Sequence, residues 1–485
     1  MKNALDWIGF AVPIAALGFA GIRLTRRPQD YLLADRRIGF FPLVATLVMT
    51  EFNTSTLLAF SAFGYRAGPM SVGLPLVFLV GLAWYTVTVA RPWKQFNRLS
   101  VAEFFTERYG AGLGYFASAL LLLAMLGFSA TYIKSLTLIF SPWLQFLNLW
   151  WLSLILTGLV LVMTLSGGLV SVVRTDLLSF LVTLVMLPGL LAIALYRHGG
   201  IGSLKAAFPA EQLTFAPLDQ WEQPQLPFWY VTSLTVLTCF TYICSPSYGQ
   251  KIFAAKSERV AFGGVALTAL LVFLLYASVQ LAGAFFRLEQ PELADPQTVV
   301  PEMVNAWLPP FVRGVAYAVL FMAAMTTLTG VWNAMTAMCV ADFCPSKLAG
   351  VREQRLLTAA LAVLAWLGAN QLVDDILNRL VLANIPIAAL SFALLAGFHW
   401  KRASRAGAWA SVTVGMVWGV GCFLYFGEAG GYTWYWAIYG VPIIFGTGIF
   451  FSLLWPATLS PVGPTLSVQL KLSDHPGPSI PDAVG

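Results

Sequence analysis

Apolar residues run along this chain in long unbroken blocks, with polar residues confined to short stretches between them. A membrane-spanning helix needs about 20 apolar residues. Windows of that kind fall at 4–24, 38–65, 70–90, 112–140, 148–167, 169–196, 228–250, 259–286, 308–343, 355–373, 378–398, 406–426 and 433–455. The pattern predicts an all-α integral membrane protein with about thirteen transmembrane helices. The first window is long, lacks an A-x-A-like cleavage site and runs straight into Arg23, Arg26 and Arg27. It is therefore expected to stay as an anchor rather than be removed as a signal peptide. The longest polar stretches, 197–227 and 287–307, are too short for enzyme domains. The Pro-rich tail 461–485 is expected to be disordered and cytoplasmic, which leaves residues 1–460 as one membrane domain.

Composition agrees. Of 485 residues, 58% are hydrophobic and 10% charged, and the mean hydropathy is +0.76. Soluble proteins carry about 25% charged residues, so a soluble enzyme, a secreted disulfide scaffold and a disordered chain are all excluded. The net charge of +6 does not point to nucleic acid, because its distribution matters more than its sum. About 20 Lys and Arg, including Lys251, Lys256 and Arg259, fall in one set of alternating loops, against about 7 in the other. That bias predicts an external amino terminus and a cytoplasmic carboxyl terminus in the bacterial inner (plasma) membrane. The five cysteines lie in or beside apolar blocks without a C-x-x-C pair and read as small hydrophobes. The three histidines sit near span ends or in the tail, which argues against haem or zinc.

The informative residues are those that hydrocarbon should reject. The window 38–65 is interrupted by Thr50-Glu51-Phe52-Asn53-Thr54-Ser55-Thr56, a polar cluster with a carboxylate near mid-membrane. Such groups mark a substrate or ion path, and unwound backbone is tolerated only where it lines a cavity. The competing reading is hydroxyls bonding back to their own helix. A second interruption, Cys244-Ser245-Pro246-Ser247, lies five spans on. Two broken helices of opposite topology are the sign of an inverted-repeat transporter with a midplane site. A third polar run, Ala323 to Thr329, places Thr326 and Thr329 as helical neighbours. Their hydroxyls suit a hard cation or, equally, mark close helix packing. Asp176 could sit at the membrane interface or reach inward to balance a cation. Lys134 could bind a substrate carboxylate, pair with Glu51, or snorkel to the surface.

Several stretches together resemble the sodium:solute symporters, from about Tyr31 to Trp455. Tyr31-Leu32-Leu33-Ala34-Asp35-Arg36-Arg37-Ile38-Gly39 resembles the FLAGR-x-x-G stretch before the first core helix. Ser166-Gly167-Gly168 through Thr175-Asp176 resembles GG-x-x-A-V-x-W-T-D. Gln250-Lys251-Ile252-Phe253-Ala254-Ala255-Lys256-Ser257 is similar to Q-R-x-x-A-A-K-S, and Trp400-Lys401-Arg402-Ala403 with Gly407-Ala408 to W-K-R-A-T-x-x-G-A. The resemblance implies a LeuT-like five-plus-five inverted-repeat core at 38–398, one extra helix at 4–24 and two at 406–455. It implies sodium as the coupling ion, held by the carbonyls of Met49, Phe52 and Ala323 and the hydroxyls of Thr326 and Thr327, with Asp176 behind. Thr329 keeps one position of a second cation site found in some members, but Gly330 replaces the other, so one sodium per cycle is expected.

At the substrate positions the chain departs from the sugar branch. Glu51 stands where sugar carriers have Asn and the proline branch has an acid. Ser55 and Thr56 replace a Glu-Gln pair, and Ser245 and Ser247 replace an Asn and a gating Tyr. With Glu51, Asn53, Ser55, Thr56, Ser245, Ser247 and Lys134 as the expected substrate residues, an amino acid or carboxylate is favoured over a sugar. The expected function is therefore sodium-coupled uptake of a small polar solute by alternating access. It would need the lipid bilayer and the solute, no nucleic acid and no catalytic residues, and would work as a monomer. Proton coupling on the same fold and a non-transporting solute sensor are the rivals.

Overall fold

The computed structural model describes residues 3–21, 38–213, 228–343, 350–374, 376–427 and 431–456, with backbone alone at 17–21, 166–171, 211–212 and 377. The expectations placed on 31–37, on Arg23, Arg26 and Arg27, on Cys344 among the five cysteines and on the tail 461–485 lie outside the described residues, as does the side chain of Ser166.

The chain enters with α1 (Ala4–Gly21). The window 38–65 becomes two helices, α2 (Phe40–Glu51) and α3 (Thr54–Ala67). There follow α4 (Leu76–Thr88), α5 (Ala90–Phe96), α6 (Glu103–Tyr109), α7 (Ala111–Phe140) and the 50-residue α8 (Leu149–His198). The window 228–250 is again split, into α9 (Phe228–Tyr242) and α10 (Pro246–Ala254). The chain continues through α11 (Glu258–Glu289), α12 (Val299–Trp307), α13 (Val312–Met338) and α14 (Val351–Gln371). It closes with α15 (Ile376–Leu382), α16 (Ile385–Ala389), α17 (Ser391–His399), α18 (Arg405–Phe426) and α19 (Gly440–Leu454).

By length and composition, seven of the described helices can cross a membrane, or ten if each bent pair is one span. That count covers the described residues alone and does not confirm the expected thirteen. Ala4–Ala16 and Leu149–Leu165 are further apolar stretches, within α1 and α8, and α14 carries polar residues at both ends. The two windows expected at 148–167 and 169–196 run on as one helical backbone.

Each bend has a local cause. α2 and α3 meet at 64° and α9 and α10 at 49°, at the two predicted interruptions. A third bend, 50° between α4 and α5, was not predicted. Pro92 has no N–H for the carbonyl of Thr88, and His399 Nε2 meets that carbonyl at 2.9 Å instead.

At the centre lies α13, where Ala316 to Met338 are almost all buried, including Thr326, Thr327, Thr329, Asn333 and Thr336. It packs against α1, α2, α7, α8 and α10. A helix apolar all round belongs in a core; one that also buries hydroxyls has something to hold. The two broken helices are clasped where their chain ends meet. Ile38 N–H donates to the Ala254 carbonyl at 3.0 Å, and Lys256 N–H donates to the Ile38 carbonyl at 2.9 Å.

Candidate cation and solute site

The break between α2 and α3 is made by one side chain. In a continuous helix the Met49 carbonyl would receive the Asn53 N–H, but that N–H turns back to the Glu51 carbonyl at 2.9 Å. The Phe52 carbonyl would receive the Thr56 N–H, but Asn53 Oδ1 takes it at 2.8 Å. Asn53 thus caps α3 while freeing two carbonyls of the preceding turn. Its Nδ2 and the Tyr276 hydroxyl both donate to the Glu51 carbonyl at 2.9 Å, fixing the unwound segment.

One of those freed carbonyls faces α13. Thr327 Oγ1 lies 3.0 Å from the Met49 carbonyl and 3.0 Å from that of Ala323, and Thr326 Oγ1 lies 3.2 Å from the Ala323 carbonyl. The Thr327 hydroxyl has one proton, so it cannot satisfy both carbonyls at once. The result is a buried group of neutral oxygens with lone pairs to spare, the donor set that a hard cation prefers.

The second break follows from Pro246, which opens α10 as its first residue, a position where a missing N–H costs nothing. The Ile243 carbonyl left behind is met by Trp93 Nε1 at 2.9 Å. Between the two breaks lies a cavity of about 900 Å3, counting the solvent at its mouth. Thr50, Glu51, Asn53 and Thr56 line it from the first break, and Ser245, Ser247 and Tyr248 from the second. Phe60, Phe78, Tyr132 and Tyr242 make much of the remaining wall. Among the described residues, Glu51 is the one charged side chain on this wall, and it is buried. Its carboxylate accepts from the Tyr242 hydroxyl and, at 3.2 Å, from that of Tyr248.

The predicted substrate residues do not all arrive here. Ser55 turns away, with Oγ 3.1 Å from Ser135 Oγ on α7. Lys134 is half-buried on α7 and does not line the cavity, which α7 reaches through Phe128 and Tyr132. The pairing with Glu51, one of the three readings open for it, is not seen: Tyr242 and Tyr248 hold that carboxylate. Thr329 Oγ1 bonds Thr164 Oγ1 at 2.9 Å on α8. Asp176, for which an interfacial position was open, is fully buried and accepts from the Thr46 hydroxyl.

Lys251 is the residue that sequence reasoning misplaced. Counted there as a loop cation, it is 1% exposed. Its ammonium donates to the Thr46 carbonyl at 2.8 Å, to Thr50 Oγ1, and to Asp176 Oδ2 at 3.4 Å. Two signals were present. Lys251 lies four residues after Ser247 and so shares its face of a helix, and an acid inside a membrane needs a cationic partner.

Comparison with known proteins bears on this geometry. The model of the sodium:solute symporter family matches residues 31–415, most of the chain. The chain belongs to the sodium:solute symporter family. It is accordingly a multi-pass membrane carrier coupled to sodium, and not an enzyme. A sodium/pantothenate symporter of Escherichia coli (strain K12) is 24% identical over 80% of this chain and 83% of its own length. Sodium/glucose cotransporter 4 of Mus musculus is 24% identical over 85% of this chain and 67% of its own. Among solved structures, a Na+-coupled sialic acid symporter in its substrate-bound outward-open state superposes with a TM-score of 0.78 at 16% identity. The match covers 95% of this chain and 100% of that one. MhsT in complex with L-phenylalanine superposes at 0.53 with 13% identity, over 86% and 98%. The fold is that of these LeuT-like transporters.

Proposed function

We propose that this symporter carries a small zwitterion, an amino acid or a close analogue, together with one sodium ion. The carbonyls of Met49, Phe52 and Ala323 and the hydroxyls of Thr326 and Thr327 hold the ion, with Asp176 behind them. The observation that carries the solute reading is that Glu51 is the one charged side chain on the cavity wall among the described residues. A solute with an ammonium group neutralises it and stacks against the aromatic wall, where a cation over a ring gains further attraction. The solute's carboxylate is left to the N–H groups at the starts of α3 and α10, whose positive dipole ends meet at this wall. A solute that is only a carboxylate would add a second buried negative charge beside Glu51. With Lys134 off the wall, no side-chain cation among the described residues lines the cavity to balance it. A sugar would leave Glu51 buried among hydroxyls with its charge unbalanced.

The sequence of steps follows from where the oxygens sit. Sodium binding joins α2 to α13 and holds the unwound segment that carries Glu51 and Asn53 in place. Solute then binds one residue away from the sodium ligands, so each ligand preorganises the other's site. Thermodynamic linkage requires sodium to raise solute affinity by the factor by which solute raises sodium affinity.

The test is uptake into proteoliposomes of labelled amino acids, a monocarboxylate and a hexose, with and without an inward sodium gradient. We expect a sodium-dependent signal for an amino acid. In Thr326→Ala the sodium concentration giving half-maximal uptake should rise at least tenfold, while Glu51→Gln should abolish solute binding at unchanged sodium affinity. Uptake of the hexose alone, or sodium activation untouched in Thr326→Ala, would refute the reading.

A further inference from the structure

Beside the sodium oxygens lies a second set. The Thr46 carbonyl and Thr50 hydroxyl come from α2 and the Asp176 carboxylate from α8, so three oxygens from two elements converge on one point. That point is filled by the ammonium of Lys251, carried in from α10. Asp176 and Thr46 are 0% exposed, so nothing here is screened by solvent. The opposite wall is α13 at Gly330, where a Cβ would stand 3.8 Å from Lys251 Nζ. Gly330 follows Thr326 and Thr327 by about one helical turn, so the ammonium and the sodium cage are neighbours along α13.

Such a set of oxygens, one of them charged, is a binding site for a hard cation. In this chain the cation is part of the protein. We propose that Lys251 is a tethered counter-ion that occupies a second cation position at Asp176, thereby keeping a second alkali ion out and fixing the load at one sodium. Two further observations fit. Asp176 Oδ1 has no hydrogen-bond partner among the described residues, and the Ser179 hydroxyl, one turn along the same face of α8, has none either. Both are buried acceptors that a smaller, non-directional ion could use and that a lysine at the end of its stem leaves unmet. Gly330, for its part, brings α13 up to the ammonium: a Cβ there would stand at ordinary contact distance, 3.8 Å, from Lys251 Nζ.

Truncating Lys251 therefore does more than break an ion pair. A buried carboxylate with no counter-charge is costly; a proton or a cation relieves it, and in a sodium-containing buffer the vacated oxygens offer a sodium ion that place. The proposal rests on the sodium cage described above, and the experiment separates the two. Purified full-length protein in detergent is titrated with NaCl over a KCl background, reading heat and, in parallel, bound radioactive sodium per chain. The wild type should bind one sodium. Lys251→Ala should bind two, with the second lost again in the Lys251→Ala/Asp176→Asn double variant. Thr326→Ala in the wild-type background should bind its one sodium at least tenfold more weakly. Two sodium ions on the wild type, or one on a folded Lys251→Ala protein, overturns the proposal. Should Lys251→Ala fail to fold, Lys251→Met keeps the packing of the stem and is read in the same way. A wild type that binds no sodium fails at the cage instead, and that failure is recognised by Thr326→Ala making no difference.

Discussion

At the scale of single residues, the site depends on where a few hydrogen bonds go. Asn53 takes one N–H away from the Phe52 carbonyl, and its own N–H abandons that of Met49. Losing a helix cap ordinarily costs about 1 kcal/mol, but here the cap also holds carbonyls open. In Asn53→Ala the Thr56 N–H is free to return to the Phe52 carbonyl and rewind the helix. The expected outcome is a sodium half-point raised at least fivefold in uptake assays, alongside a small fall in thermal midpoint. Asn53→Ser, whose hydroxyl can still cap, should recover part of both. A sodium half-point unchanged in Asn53→Ala would show that the break does not depend on this cap. The polar cluster that contains Asn53 was plain in the sequence because hydrocarbon penalises it. Tyr242 and Tyr248 were not, since an aromatic inside an apolar run looks like any core residue until its hydroxyl is seen on Glu51. Lys251 was hidden by a rule that holds for most of the chain's cations: basic residues flank spans. It fails here because α10, half of a broken helix, brings its far end back into the protein.

Between elements, close packing is set by glycines. α3 and α11 approach until a Cβ on Gly64 would collide with the Gln280 backbone carbonyl, and one on Gly283 would stand 2.7 Å from that of Ser61. Small residues are how membrane helices gain contact when lipid is as apolar as they are. Gly64→Ala should therefore separate α3 from α11 and lower stability by about 1–3 kcal/mol, as overpacking does in cores. Gly158, on α8 with nothing within 4 Å of its added Cβ, is the control. Its alanine variant should be neutral or slightly stabilising. Thermal unfolding in detergent reads both, and equal midpoints would remove the packing argument. The two predicted breaks were legible because both carry local chemistry, hydroxyls with an amide in one and a proline in the other. The bend before α5 was missed although Pro92 was in view, because its effect falls four residues upstream at Thr88, inside a run that looks continuously apolar. The windows expected at 148–167 and 169–196 meet without a break, because the backbone stays helical through 166–171.

For the molecule as a whole, what matters is how many charges cross the membrane in each cycle. Lys251 and Asp176 are both part of the protein and form a pair, so they add no net charge to the load. On the proposed load of one sodium and one zwitterionic solute, which is neutral overall, the sodium is the whole charge carried. Moving one elementary charge through 100 mV is worth about 2.3 kcal/mol, and each 1.36 kcal/mol is a factor of ten. With equal sodium on both sides, a potential of 100 mV, inside negative, should therefore sustain about 50-fold accumulation of solute and no more. Two sodium ions per cycle would square that limit to about 2,500-fold, so the slope of log accumulation against imposed potential tells the cases apart. A cationic solute with one sodium has the same steep slope, because it also moves two charges, and is separated from the two-sodium case by varying sodium at zero potential. There the accumulation limit follows the first power of the sodium ratio for one ion and its square for two. We expect the first power and the shallow slope. A square dependence would place a second sodium in the wild-type protein, and Lys251 could then no longer be the cation that occupies its position.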